Sequence, residues 1–200
     1  SSYIYLAYKI LFLILLQGII GWYMVKSGLV NDITVSHYRL SIHLGIAILI
    51  ISTIFWLILN IIMSIDKFFF DFKRKNLPFL FLIFLIFLQI IFGAFVSGLD
   101  AGQIYQTWPL MGYTYFPNDI NLNNIIDGVN FNNHSLVQFY HRNLAYFITF
   151  YVIGLTFYIY SKSLINLYRP LILVNIFLLI QVILGIFTLL SGLNIFLASA

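Results

Sequence analysis

Five stretches of the chain are apolar almost without interruption: residues 3–25, 38–63, 77–98, 136–160 and 170–193. Each reaches the about 20 residues that a helix needs to cross the hydrocarbon of a bilayer. The runs are continuous rather than alternating, which favours helices over barrel strands. In lipid the backbone must satisfy its own hydrogen bonds, and an isolated apolar run does so only as a helix. Pro170 falls in the first turn of the last run, where a missing N–H costs little. The expected fold class is therefore all-α: a polytopic transmembrane helix bundle with five spans.

The polar positions between the runs set direction. The loop after the second run carries Lys67, Lys73, Arg74 and Lys75, and the loop after the fourth carries Lys162 and Arg169. Between the first two runs there is only Lys26 before Arg39, and residues 99–135 contain no Lys or Arg. The positive-inside rule then places the N-terminus in the cytoplasm and the long loop 99–135 outside. The first part of that loop, residues 100–112, contains Tyr105, Trp108 and Pro109 and is expected to pack on the membrane surface. Its Asn-rich second part is expected to be irregular.

Composition agrees with this picture. The chain is 62% hydrophobic and 8% charged, against about 45–50% and about 25% in a soluble domain. The formal charge of +4 reports topology here rather than a nucleic-acid partner. Every acid is an aspartate, and there is no cysteine, which excludes disulfide, zinc-thiolate and redox-thiol chemistry. Residues 3–25 lack a small-residue cleavage site, so the first run reads as a span and not as a cleaved signal. No phosphate loop, dinucleotide fingerprint or hydrolase motif lies in a usable context.

Three of the runs share a pattern. The first has Gln17, Gly21 and then Ser27-Gly28-Leu29; the third has Gln89, Gly93 and Ser97-Gly98-Leu99; the fifth has Gln181, Gly185 and Ser191-Gly192-Leu193. Gln and Gly are four residues apart each time. Gly and Ser are common where membrane helices pack, but three occurrences at the outer ends of outward-running helices suggest duplication. The offset from Gln17 to Gln181 is 164 residues. Applied to His43 it points beyond Ala200, and applied backwards to His141 it points before Ser1. The five spans are therefore expected to belong to a larger two-fold repeat.

Ionisable groups inside a span are expensive and need a reason. The candidates are Lys9, Arg39, His43, His141 and Arg142. Lys9 lies near the inner end of its helix and can snorkel to the interface. His43 and His141 each fall five residues into an inward-running span, roughly 7–8 Å below its outer end at about 1.5 Å per residue. Each has an arginine close by, Arg39 one turn earlier and Arg142 directly after. A neutral imidazole suits haem iron as an axial ligand, a helix bundle can hold a haem between facing histidines, and an arginine can pair with a propionate. An interfacial histidine bonded to a tyrosine or to backbone is the alternative, and a proton relay or ion pathway is a third. His37 is expected in a loop, solvated. His134 is too far from His141 to share one metal.

The residues also resemble a known family. Residues 16–29 (LQGIIGWYMVKSGL), 36–47 (SHYRLSIHLGIA), 88–111 (LQIIFGAFVSGLDAGQIYQTWPLM) and 137–147 (VQFYHRNLAYF) run in the order found in the haem A synthase family. The lack of Cys resembles its alphaproteobacterial and mitochondrial branch. The resemblance implies an eight-helix protein of two four-helix halves, of which the five spans would be the third to the seventh. Residues 1–98 would then hold two helices of the N-terminal half and the first of the C-terminal half, 99–135 the external loop, and 136–200 two more helices of the C-terminal half. It implies that His43, with Arg39, belongs to a substrate site for haem O, and that His141, with Arg142, belongs to a haem b site, both histidines being axial iron ligands. The implied reaction is oxidation of a haem O methyl group to the formyl group of haem A, in a bacterial inner membrane, with haem O synthase upstream and the cytochrome oxidase assembly machinery as partners; a homo-oligomer is left open. The family's second helix carries a glutamate and the partner histidine of the substrate site. This chain has no Glu, so no catalytic residue is carried over. Two other readings stay open: a di-haem b-type electron-transfer protein, and a haem-free transporter or assembly factor.

Overall fold

The computed structural model describes residues 2–28, 35–63, 72–120 and 125–198; Leu29, Lys67 and residues 121–124, named above, lie outside them. Five long helices follow the five apolar runs: α1 (Ser2–Gly28), α2 (His37–Met63), α3 (Leu77–Gly98), α4 (His134–Ser161) and α5 (Tyr168–Leu190), with a single turn, α6 (Ile195–Ala198), after them. All five are long and apolar enough to cross a membrane. No strand occurs among the described residues, only an isolated bridge between Met111 and Thr114. The chain is an all-α, multi-pass membrane protein.

The molecule divides into two compact units, Ser1–Leu80 and Phe81–Ala200. In the first, α1 and α2 pack side by side. The buried residues of α2 include His37, Ser41 and Gly45, a stripe with one residue per turn that small and polar side chains make narrow. The Tyr3 hydroxyl donates to the Asn60 carbonyl at 3.4 Å, tying the far ends together. Much of α1 outside one half-buried face is exposed, as are Phe55 and Ile62 of α2. Such surface is costly in water but free of cost in hydrocarbon.

In the second unit α4 is the central helix. Val137, Ile148, Val152 and Ile159 are buried along it, at helical spacing. Phe92, Phe95, Phe131 and Tyr140 meet in edge-on and tilted pairs. On α5, the Asn175 amide donates to Thr156 of α4 at 3.1 Å. The helix starts at His134, two residues before the apolar run, because Asn133 caps it: its side chain accepts from the Leu136 N–H at 3.0 Å. At the same end of the unit α5 stops at Leu190, three residues before its run does. There Gly192 and Leu193 both take positive φ, 71° and 63°, and turn the chain.

The described part of loop 99–135 is folded on itself and on α4. Ala101, Met111, Pro117 and Ile120 are buried. Ser135, on α4, donates to Asp119 at 2.6 Å and Tyr105 donates to its other oxygen at 2.7 Å. The Asn-rich part contains a 3-10 turn, Ile125–Val129, whose Gly128 carbonyl accepts from the Tyr140 hydroxyl.

Burial pushes the Asp119 carboxyl up, but the hydrogen bonds from Ser135 and Tyr105 more than offset it and hold the group below its ordinary value. A depressed folded-state value means that the contribution is complete above the unfolded value of about 3.9 and is lost as pH falls through the folded one. Hydrogen exchange of residues 101–120, corrected for intrinsic rates, should therefore stay level from neutral pH down to the ordinary aspartate range and rise below it. Asp119→Asn, which turns one acceptor into a donor, should speed exchange there at pH 7 by roughly fivefold, the worth of one hydrogen bond of about 1 kcal/mol.

Candidate functional site

Each unit sets a histidine of one helix against a Gln-Gly pair of the preceding one. In the first unit the Gln17 amide nitrogen lies 3.2 Å from Nε2 of His43. One turn further along α1, a β-carbon on Gly21 would lie 3.0 Å from Cε1 of the same ring. In the second unit the Gln89 amide nitrogen lies 3.2 Å from Nδ1 and 3.3 Å from Nε2 of His141, and 3.2 Å from the His141 carbonyl oxygen. A β-carbon on Gly93 would lie 3.3 Å from His141 Cε1. The four-residue interval read in the sequence is thus one helical turn that presents an amide and a bare backbone to one imidazole.

His141 opens on a cavity of about 1000 Å³, walled by α3, α4 and α5. On α4 the lining residues Gln138, His141, Arg142, Ala145, Ile148 and Val152 fall at spacings of three and four, which makes them one face of the helix. Loop residues Asp100, Gly102 and Trp108 also line the cavity. Pockets of up to about 1000 Å³ with a few polar groups on apolar walls suit a cofactor-sized ligand.

The polar groups there are under-used. Among the described residues of this unit, the buried side-chain atoms with no hydrogen-bond partner are Gln89 Oε1, Gln138 Oε1, Arg142 Nε and the Tyr146 hydroxyl. All four residues line the cavity. Unpaired buried polar groups are rare and ask for an explanation; a ligand with polar edges supplies one. No cluster of three or more His or acid side chains suited to a bare metal ion occurs among the described residues. Single imidazoles are instead the donor set for an iron already held by a macrocycle, so the residues present fit a haem.

The other predicted residues fall as follows. Arg142 is only partly available: its Nη2 donates to the Tyr105 carbonyl at 2.6 Å and its Nη1 to those of Thr107 at 2.8 Å and Leu110 at 3.5 Å. Gln138 donates to the same Tyr105 carbonyl at 2.9 Å. Arg142 therefore ties the loop over the start of α4, with Nε left towards other uses. Arg39 places its guanidinium 5.2 Å from the centre of the Tyr23 ring, a cation–π contact. Lys9 makes a similar contact with Tyr5 at 4.8 Å. His134 is exposed in the first turn of α4.

His37 is a correction. It is not a solvated loop residue but the first residue of α2, 7% exposed, with its ring against Tyr38. The helix begins one residue earlier than the apolar run, and that residue faces inward. With α2 starting at His37 and α4 at His134, His43 and His141 are also deeper in their helices than the five residues expected. Gln138 and Tyr146 carry no signal of their own in the sequence; a helical projection of α4 centred on His141 would have placed Gln138 beside it.

Comparison with known proteins gives this geometry its context. Residues 1–200 match the family described as cytochrome oxidase assembly protein, COX15-CtaA. The chain is similar to the heme A synthase of Pelagibacter ubique, 48% identical over 192 residues, covering 96% of this chain and 56% of the relative. It is similar to the heme A synthases of Rickettsia bellii, 40% identical over 95% of this chain and 57% of the relative, and Rickettsia africae, 38% identical over 94% and 56%. The chain thus spans a little over half the length of these curated relatives. Together with five apolar helices and a repeated Gln-Gly-His arrangement, the match over the whole chain shows that this protein belongs to the COX15-CtaA family of cytochrome oxidase assembly proteins.

Proposed function

We propose that the chain forms the haem-holding part of a haem A synthase. The observation that carries the reading is the cavity beside His141, where every unpartnered buried polar side-chain atom described in that unit belongs to a lining residue. The similarity to curated heme A synthases supports it.

On this reading His141 would hold haem b by its imidazole, and the arginine Nε and Tyr146 hydroxyl at the cavity wall would meet its polar edge. His43 would hold haem O as substrate, with Arg39 near the mouth of that site. A haem bound there would supply redox chemistry. What these residues themselves do is narrower. The imidazoles fix where the rings sit. The apolar faces of α3, α4 and α5 keep water out, which strengthens every polar contact inside. The loop tied down by Arg142, Gln138 and Asp119 closes the cavity at the start of α4. Haem O synthase would deliver the substrate, and oxidase assembly would consume the product.

Cells supplied with haem O and expressing the protein should yield extractable haem A. His43→Ala should abolish haem A while leaving haem b in the purified protein; His141→Ala should lower bound haem b by at least the about 10–100-fold that loss of even an outer-shell metal-site partner brings. Only haem b, with no oxidised haem O in any extract, would instead favour an electron-transfer protein.

The proposed direction puts loop 99–135 outside and the Lys73–Lys75 turn in the cytoplasm. The chain has no cysteine, so single cysteines report cleanly. Tyr113→Cys, at a position 95% exposed, should react with a membrane-impermeant maleimide in intact spheroplasts. Lys75→Cys should react only after the membrane is opened. The reverse pattern would invert the topology.

A further inference from the structure

The Gln-Gly pairs have no assigned role, and their contacts are specific. Gly18 and Gly154 are also helical glycines, yet a β-carbon there would meet nothing within 4 Å. Gly21 and Gly93 would each meet Cε1 of a histidine, and each stands one turn after a glutamine that touches the same ring. Small residues in membrane helices explain close packing, but not why the same imidazole edge fills the gap twice.

Hydrogen-bond chemistry completes the case. In both pairs the amide nitrogen is the atom at the ring, and the carbonyl oxygens, Gln17 Oε1 and Gln89 Oε1, are buried without a partner among the described residues. A half-turn of the terminal amide exchanges the two atoms. An imidazole that binds a metal through one nitrogen carries a proton on the other and needs an acceptor for it. After the half-turn, the glutamine oxygen is that acceptor, about 3.2 Å from a ring nitrogen and within hydrogen-bond reach; at His141 the exchange gives up the amide's 3.2 Å bond to the His141 carbonyl in return for the ring N–H.

We infer that Gln17 with Gly21, and Gln89 with Gly93, are imidazole seats: the glycine leaves room for the ring edge of His43 or His141, and the glutamine is a positioning residue that accepts the ring N–H and so presents the other nitrogen to iron. This rests on the haem-ligand reading above. The third pair, Gln181 and Gly185, lines the cavity that His141 opens on, with nothing within 4 Å of Gly185 among the described residues. The seat at His141 is the one to probe, because it opens on the cavity walled by α3, α4 and α5.

An N–H donated to a glutamine oxygen makes the imidazole a better electron donor to iron, and a carboxylate acceptor makes it better still. The experiment uses the full protein purified from membranes with its bound haem, titrated for midpoint potential, with electron paramagnetic resonance of the oxidised state. Gln89→Leu should raise the potential and weaken haem retention by about tenfold. Gln89→Glu should lower the potential and retain haem. Opposite signs are a result that a purely structural glutamine does not give. Gly93→Ala should displace the ring and change the resonance of the oxidised haem, whereas Gly154→Ala should not; this arm stands even where Gln89→Leu fails to accumulate. Shifts of the same sign for Leu and Glu, no shift in either, or an unchanged resonance in Gly93→Ala would overturn the inference while leaving haem binding intact. A protein that binds no haem before any substitution would remove the functional reading itself, and the seats with it.

Discussion

An imidazole between apolar helices must find a hydrogen-bond partner or a metal for each ring nitrogen, because hydrocarbon offers none. That requirement organises both units of this protein. In each, the histidine sits where the preceding helix has lost a side chain at a glycine and offers an amide one turn away. In the first unit the two helices pack closely, and in both units the glycine admits the ring edge while the amide compensates one nitrogen. The other nitrogen is left to chemistry. A membrane helix pair gains little from apolar burial, since lipid is as apolar as leucine, so such polar contacts and close approaches weigh heavily in deciding which faces meet.

The loop after α3 follows from the same constraint. Its backbone carbonyls need donors, and Arg142 and Gln138, on the cavity face of α4, provide them. A half-buried arginine likewise needs acceptors, and three carbonyls meet that need. The contact makes the cavity wall and the loop interdependent. A substitution at Arg142 would therefore disturb the loop as well as any ligand edge, so its effect on activity alone says little about propionate binding. Gly102 contributes from the loop side, where Leu193 of the turn after α5 approaches so closely that a β-carbon would lie 2.9 Å away.

The fold was legible because its strongest signal is composition along the chain. The run at 77–98 became α3 to the residue, and the all-α, five-span architecture follows from run length and hydrocarbon thickness. The errors fall where polar residues join a helix for reasons local to three dimensions. His134 and Ser135 are too polar for a hydropathy reading, yet Asn133 caps the helix ahead of them. His37 reads as loop by the same logic and is buried by its neighbours. Within the site, His43 and His141 stood out because charge-capable groups are scarce in spans. Gln89 stood out only as a repeat, since spacing shows that two residues share a face and not what they face. The anchoring of Arg142 was invisible, because its partners are carbonyls that every residue presents.

The central claim is that the two histidines hold haem, and the absorbance spectrum of the purified protein bears on it most directly. Oxidised and dithionite-reduced spectra should show the Soret and visible bands of bound haem, diminished in His141→Ala and gone in the variant that lacks both His43 and His141. A colourless protein, or one whose haem bands persist unchanged in that double variant, would contradict it.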